Sequence, residues 1–440
     1  MLYGYGNFSL VSLACVLLSL AVAINSLSTE PWGPALPRWV GVALVLALAS
    51  TGLLYYNRFG NTLSVIAVAP LVAAIPLYTF ARSSSIRIVA FALAVTSAVT
   101  AIVAHLTWGF AQIDVFQFQQ KASQALLHGQ NPYSPVVTSP EAMPPSVPTF
   151  LQLHLPYGPV LAVLEAPFRL AGDIRLLHML AAVIVSVAVL TLARRAGTLE
   201  RSACVVMAFP LTIGMILFSW VDIITMAGLA VWIVTFRTHP KVAVVALALA
   251  LGAKPTTLIA LVPIFFWSIR ARRQVLVAGA IAAVIALPFA MITGFGQFFY
   301  DVLGVFVNEP TRFDALTINS FLHSINLSIP PFAVSALILA ATTVMVLRRR
   351  PSSYGQLLTG TAILATVSFL VAKWAYFNYY YIPAVLLMLA IAGGTLPVDA
   401  PEMIRPPAVF LKIAAALQGA ARRIPRRPDI PAHDLPDPAA

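Results

Sequence analysis

The stretch KVAVVALALALGAKPTTLIALVPIFFWSI, Lys241 to Ile269, decides how this chain is read. Its apolar residues run on without the period-two alternation of a half-buried strand, so both halves read as helices. Lys254, followed by Pro255, interrupts them. Two short half-spans, Lys241 to Gly252 and Pro255 to Ile269, therefore meet at a break that leaves backbone groups and an ammonium facing a cavity. A lysine at that depth is costly unless it has an anionic partner or snorkels to the interface.

The rest of the chain resembles this stretch in character. Of 440 residues, 60% are hydrophobic and 10% charged, and mean hydropathy is +0.89. A water-soluble globule of this length needs about a quarter charged residues, so the bilayer is the solvent. Only helices or closed barrels satisfy their backbone groups there, and the apolar runs are of helical length. The expectation is an all-α polytopic membrane protein.

Apolar spans read at Ser9 to Leu27, Arg38 to Tyr56, Thr62 to Ala81, Ile86 to Trp108, Ile174 to Ala193, Ala203 to Trp220 and Ile223 to Phe236. After the two half-spans come Gln274 to Thr293, Ser328 to Leu347, Gln356 to Ala372 and Phe377 to Ala392. The total is about thirteen. The net charge of +12 comes from basic residues clustered beside spans, which fits loops on anionic lipid and not nucleic-acid binding. Arg82, Arg87, Arg194, Arg195, Arg201, Arg237, Lys241, Arg270 to Arg273 and Arg348 to Arg350 mark the cytoplasmic side of a plasma membrane. Alternation then puts 109–156, Trp220 to Asp222, Ala253 to Pro255, Gly294 to Leu327 and Lys373 to Tyr376 on the outer side. The N-terminus lies outside and the C-terminus inside.

Three regions result: residues 1–85, N-terminal helices that read as an accessory module; 86–394, the main transmembrane module with its outer loop 109–156; and 395–440, a basic amphipathic and disordered cytoplasmic tail. Tyr157 to Ala171 is too short to cross, carries Glu165 and Arg169, and reads as re-entrant or interfacial. The N-terminal span has no basic leader region and reads as retained. Cys15 and Cys204 fall inside spans and imply no disulfide or metal framework.

Polar residues that carry chemistry gather on the outer side. Val115 to Leu127 reads as an amphipathic helix on the membrane, with Phe116, Phe118, Ala122, Ala125 and Leu126 on one face. Asp114 at its start is placed equally well to cap that helix and to take a proton from a hydroxyl nucleophile. Asn131 to Tyr133 is a turn signal, and Asp222 fits a helix cap as readily as a ligand site. Arg312, Asn319 and His323 populate one outer loop, and Lys373 opens another. A basic cluster near a carboxylate, beside lipid, suits a lipid-linked phosphate substrate with a hydroxyl acceptor. No Walker loop, His-Glu-x-x-His or Gly-x-Ser-x-Gly motif competes.

An ordered series carries a family resemblance: the Asp114 helix leading to His128-Gly-Gln-Asn-Pro-Tyr133, then Pro156-Tyr-Gly-Pro159, Val221-Asp222, Ala253-Lys254-Pro255, the Asn319-Ser320 loop and the aromatic stretch Tyr376 to Tyr381. From Trp108 to Ala392 the chain resembles the GT-C superfamily of polyprenyl-phosphate-sugar-dependent membrane glycosyltransferases, in particular glycosyltransferase family 87, which includes actinobacterial α-mannosyltransferases. Two features depart from the family pattern: three spans precede the one leading to Asp114, and Tyr157-Gly158-Pro159 replaces the commoner Tyr-Pro-Pro.

The resemblance implies a GT-C-like bundle and an inverting transfer of one sugar, mannose first among the choices, from a polyprenyl phosphate to a glycan or glycolipid. It implies Asp114 as general base and Lys254 at the donor phosphate; a phosphate leaving group needs charge stabilisation, for which Arg312 or Lys373 is the expected further donor-phosphate contact. His128, Asn131, Tyr133, Tyr157, Asp222, Asn319 and His323 then bind sugar or acceptor. A lone carboxylate at Asp222 is a poor divalent-metal site, so a metal-free reaction without cofactor is expected. The competing expectation is a transporter or flippase of polyprenyl-linked lipids, with the Lys254 break as its substrate site.

Overall fold

The computed structural model describes residues 113–138, 152–196, 210–305, 315–327, 331–348, 351–373, 375–394 and 396–397, with parts of 13–24. The spans assigned to 38–108, most of the N-terminal module, the tail and Arg312 lie outside the described residues.

The described chain is helical apart from one two-residue ladder. Helix α1, Asp114–Leu127, leads into the strands β1, Val137–Thr138, and β2, Gln152–Leu153, which pair antiparallel with Val137 opposite Leu153. No strand was expected there; the ladder ties together the two ends of the proline-rich loop. Then come α2, Pro159–Leu170, α3, Arg175–Arg195, α4, Pro210–Leu217, and α5, Asp222–Thr235. The half-spans are α6, Pro240–Ala253, and α7, Leu258–Trp267, with a 3-10 turn, Pro255–Thr257, between them. Helix α8, Ile269–Thr293, is followed by α9, Phe295–Phe299, and a π-helical turn, Tyr300–Gly304. The remainder is α10, Ile318–Ser324, α11, Pro331–Arg348, α12, Tyr354–Leu370, a 3-10 turn, Phe377–Tyr380, and α13, Tyr381–Gly393.

Helices α3 and α8 are long and apolar enough to cross a membrane; the other apolar helices are shorter. Helix α2 has twelve residues, about 18 Å at the usual rise, well short of a ~30 Å hydrocarbon core. Helix α8 begins before the apolar run at Gln274. Ser268 caps it by accepting a hydrogen bond from the Ala271 amide at 3.0 Å, which draws Arg270 to Arg273 into the first turn.

Packing joins α5 to α6 and α3, α6 to α8, and α12 to α13 around one large apolar core. The loops at the two ends of this bundle hydrogen-bond among themselves. At one end the Gln119 amide donates to the Ser219 carbonyl at 2.5 Å, the Gly158 amide to Ala253 at 2.9 Å, and the Leu316 amide to Ala375 at 2.8 Å. At the other, Arg195 donates to the Val234 carbonyl at 2.6 Å and Arg237 lies 5.6 Å from the Tyr354 ring centre. Gln274 bridges the Trp232 indole and the Phe236 carbonyl at that same end.

Candidate functional site

Lys254 occupies the break because Pro255 disfavours helical geometry in the residue before it; its backbone is extended, at φ −143° and ψ 92°. The chain restarts in the 3-10 turn, where the Thr257 hydroxyl donates to the Lys254 carbonyl at 2.7 Å. A backbone group freed by the break is thereby satisfied.

The side chain is buried at 4% exposure, and its Nζ lies 2.6 Å from Oδ1 of Asp222, itself 1% exposed. The Asn378 amide donates to the other Asp222 oxygen at 2.9 Å. The ammonium also lies 4.1 Å from the centre of the Tyr379 ring, where the negative face of the π system attracts it. Asp222 is the first residue of α5, whose cap is Val221 with no side-chain capping bond. The helix-cap reading of Asp222 is thus replaced by an ion pair, with both oxygens engaged across the bundle.

Asp114 is likewise the first residue of α1 and not its cap, which is Ile113. The Val115 amide donates to its Oδ1 at 2.6 Å, and the residue is 9% exposed. The amphipathic reading of α1 agrees with the burial of Phe116, Phe118, Ala122 and Ala125, but Gln119 and Ser123 are fully buried too. Gln119 binds the carbonyl of Ser219, whose φ of +54° makes the turn three residues before Asp222. The helix carrying Asp114 is therefore docked on the turn that delivers Asp222.

Behind this contact Glu165 is fully buried. Its Oε2 lies 3.2 Å from the Ser123 hydroxyl, which is 2.6 Å from the Gln119 carbonyl. The Ser123 hydroxyl is thus a donor shared between the Gln119 carbonyl and the Glu165 carboxyl, and it lies closer to the carbonyl. Burial pushes the Glu165 carboxyl well above its ordinary value, with the Ser123 hydrogen bond opposing it only in part.

Two of the signature motifs are structural ties. Asn131 donates to the Thr293 hydroxyl at 2.9 Å and accepts from the Tyr133 amide at 3.1 Å. The Tyr133 hydroxyl donates to the Tyr157 carbonyl at 2.7 Å, and burial pushes its pKa up, aided by the charge of Asp301. Gly158 follows, in backbone contact with the Lys254 break. His128 is exposed, with its Nδ1 2.8 Å from the Gln124 carbonyl of its own helix. Asn319 donates to the Ala372 carbonyl at 3.4 Å, beside half-buried Lys373, and His323 lies exposed in α10. Asp222 and Lys254 are thus in direct contact and Tyr133 meets Tyr157, whereas His128 and His323 stand at the surface.

The aromatic stretch Tyr376 to Tyr381 did not single out Asn378 or Tyr379, and Gln119, Ser123 and Ser219 were not expected at the site. Only the amide and hydroxyl at an i, i+4 spacing in α1 hinted at a polar stripe beside the apolar one. Among the described residues no group of three or more His, Cys, Asp or Glu is placed to hold a metal ion. Comparison with protein-family models, curated proteins and solved structures finds no match for this chain.

Proposed function

We propose that this chain is an inverting, multi-pass membrane glycosyltransferase that moves a sugar from a polyprenyl phosphate to a glycan or glycolipid at the outer face of the plasma membrane, with its C-terminus inside. The observation that carries the reading is the buried Lys254–Asp222 pair at a helix break, on the end of the bundle where the Asp114 helix docks. A charged pair inside an apolar bundle contributes little net stability, so its presence favours a functional role.

In this reading Lys254 meets the donor phosphate. The ammonium has three donors, and Asp222 takes one, holding the group charged and aimed. Asp114 takes the proton of the acceptor hydroxyl as the hydroxyl oxygen bonds to the anomeric carbon from the face opposite the phosphate. The bond from that carbon to the phosphate oxygen breaks, and its electron pair leaves with polyprenyl phosphate, whose charge Lys254 stabilises with Arg312 and Lys373. No metal enters the step.

Asp114→Asn tests the proposal in purified protein given short-chain polyprenyl phosphate mannose and membrane glycolipid. Transfer and release of polyprenyl phosphate fall by about two to four orders of magnitude, while thermal stability and donor binding persist. Full activity in the variant removes Asp114 from the chemistry. Donor binding without turnover in the unaltered chain, across several sugars, favours the lipid transporter.

A further inference from the structure

Two consecutive residues of one turn hold the two members of the buried ion pair. Asn378, 7% exposed, donates through its amide to Asp222 Oδ2 at 2.9 Å, while the centre of the Tyr379 ring lies 4.1 Å from Lys254 Nζ. Both belong to the 3-10 turn Phe377–Tyr380, where the Tyr379 amide donates to the Tyr376 carbonyl at 3.0 Å. The turn is itself pinned. The Tyr380 hydroxyl donates to the Leu316 carbonyl at 2.6 Å, and the Leu316 amide to the Ala375 carbonyl at 2.8 Å. The Phe369 ring packs edge-to-face with Tyr379 at 5.4 Å and with Tyr380 at 6.0 Å.

A carboxylate beside an ammonium turns readily about its last torsion, and both of its oxygens can then close on the one cation. Asn378 opposes this by occupying Oδ2, so Asp222 meets Lys254 through Oδ1 alone, at 2.6 Å. That contact uses one of the three N–H donors of the ammonium, and the Tyr379 ring faces the cation from a second side. One N–H direction is left over. The Lys254 side chain keeps 5% of its surface, and Pro255, Thr256 and Tyr379 beside it are half-buried, so the pair lies at the edge of the packed interior.

We propose that Asn378 and Tyr379 are positioning residues for Lys254. Together they restrict Asp222 to a one-oxygen contact, cover a second side of the ammonium, and leave its last N–H directed at one oxygen of an incoming phosphate. That the phosphate belongs to a sugar donor rests on the transferase reading; the aiming of Lys254 by the turn rests on the contacts above.

The full chain in lipid nanodiscs is titrated with farnesyl phosphate, a short polyprenyl phosphate, and sugar transfer is followed in parallel. Asn378→Leu, similar in volume but without the amide, and Tyr379→Leu each weaken binding about tenfold, whereas Tyr379→Phe, which keeps the ring, restores it. In the transfer assay the KM for donor rises while the KM for acceptor holds, a split that a general loosening of the fold does not produce. If Asn378→Leu fails to fold, the contrast between the two Tyr379 variants carries the test. Binding unchanged in Asn378→Leu and Tyr379→Leu, or donor and acceptor affected alike, overturns the proposal and leaves the transferase reading in place. Binding without transfer in the unaltered chain counts against the transferase, while the variants still decide the positioning. Neither binding nor transfer in the unaltered chain overturns the transferase reading and the proposal with it.

Discussion

Gly158 and Gly252 meet backbone to backbone: a Cβ added to Gly158 would lie 1.9 Å from the Gly252 carbonyl oxygen, and one added to Gly252 would lie 2.3 Å from Val160 Cγ2. The start of α2 is thereby seated on the last turn before Lys254, with the Gly158 amide bonded to Ala253. A tyrosine-glycine-proline motif thus has a local reason for its glycine that depends on contact and not on φ.

Gly158→Ala forces these backbones apart and is expected to cost ~1–3 kcal/mol or more, as overpacking does. Thermal unfolding in nanodiscs measures it. An unchanged midpoint would show that the contact carries no weight.

Lys254→Met and Asp222→Leu each strand a buried charge and should each destabilise by ~3–5 kcal/mol. The double variant recovers much of that loss, since two apolar side chains replace the pair, yet remains inactive. A double-mutant cycle with losses that simply add would rule out coupling between the two residues.

Glu165→Gln tests the raised carboxyl pKa by pH. Because burial raises the folded-state pKa above the ordinary 4.5, the contribution of Glu165 to stability is fully present below 4.5 and is lost as pH rises through the folded value. Glutamine does not titrate, so the variant should equal the unaltered chain near pH 4 and exceed it at pH 8. A difference in melting temperature that does not change with pH would refute the raised pKa of Glu165.

Gln119→Leu leaves the Ser219 carbonyl without its side-chain donor, at a cost of ~1–3 kcal/mol, and loosens α1 from the turn before Asp222. In the transferase reading kcat falls while the KM for donor holds, because Lys254 keeps its partner. Equal loss in both constants would place Gln119 in donor binding instead.

Hydropathy and the placement of Lys and Arg sufficed for the helical class and for the ends of most described helices, because both signals are local. The span read at Ile223 to Phe236 is α5, and the half-spans around Lys254 are α6 within one residue and α7 within three, the second opening as a 3-10 turn. The β1–β2 ladder was not legible, since its partners lie across the proline-rich loop and pair only two residues each. Nor was the role of Asp222: an aspartate at a helix start has the same local pattern whether it caps or pairs, and only the crossing of α5 with α6 puts Lys254 at 2.6 Å.

The sequence by itself determined an apolar helical chain with a lysine at a proline break and polar segments between its apolar runs, because burial preference and the proline constraint act on neighbouring residues. The tertiary structure alone decided which of those polar groups touch. Asp222 finds Lys254 and Asn378, Gln119 finds Ser219, and Ser123 finds Glu165. These contacts join residues tens to hundreds of positions apart, and helix packing, not local pattern, sets them.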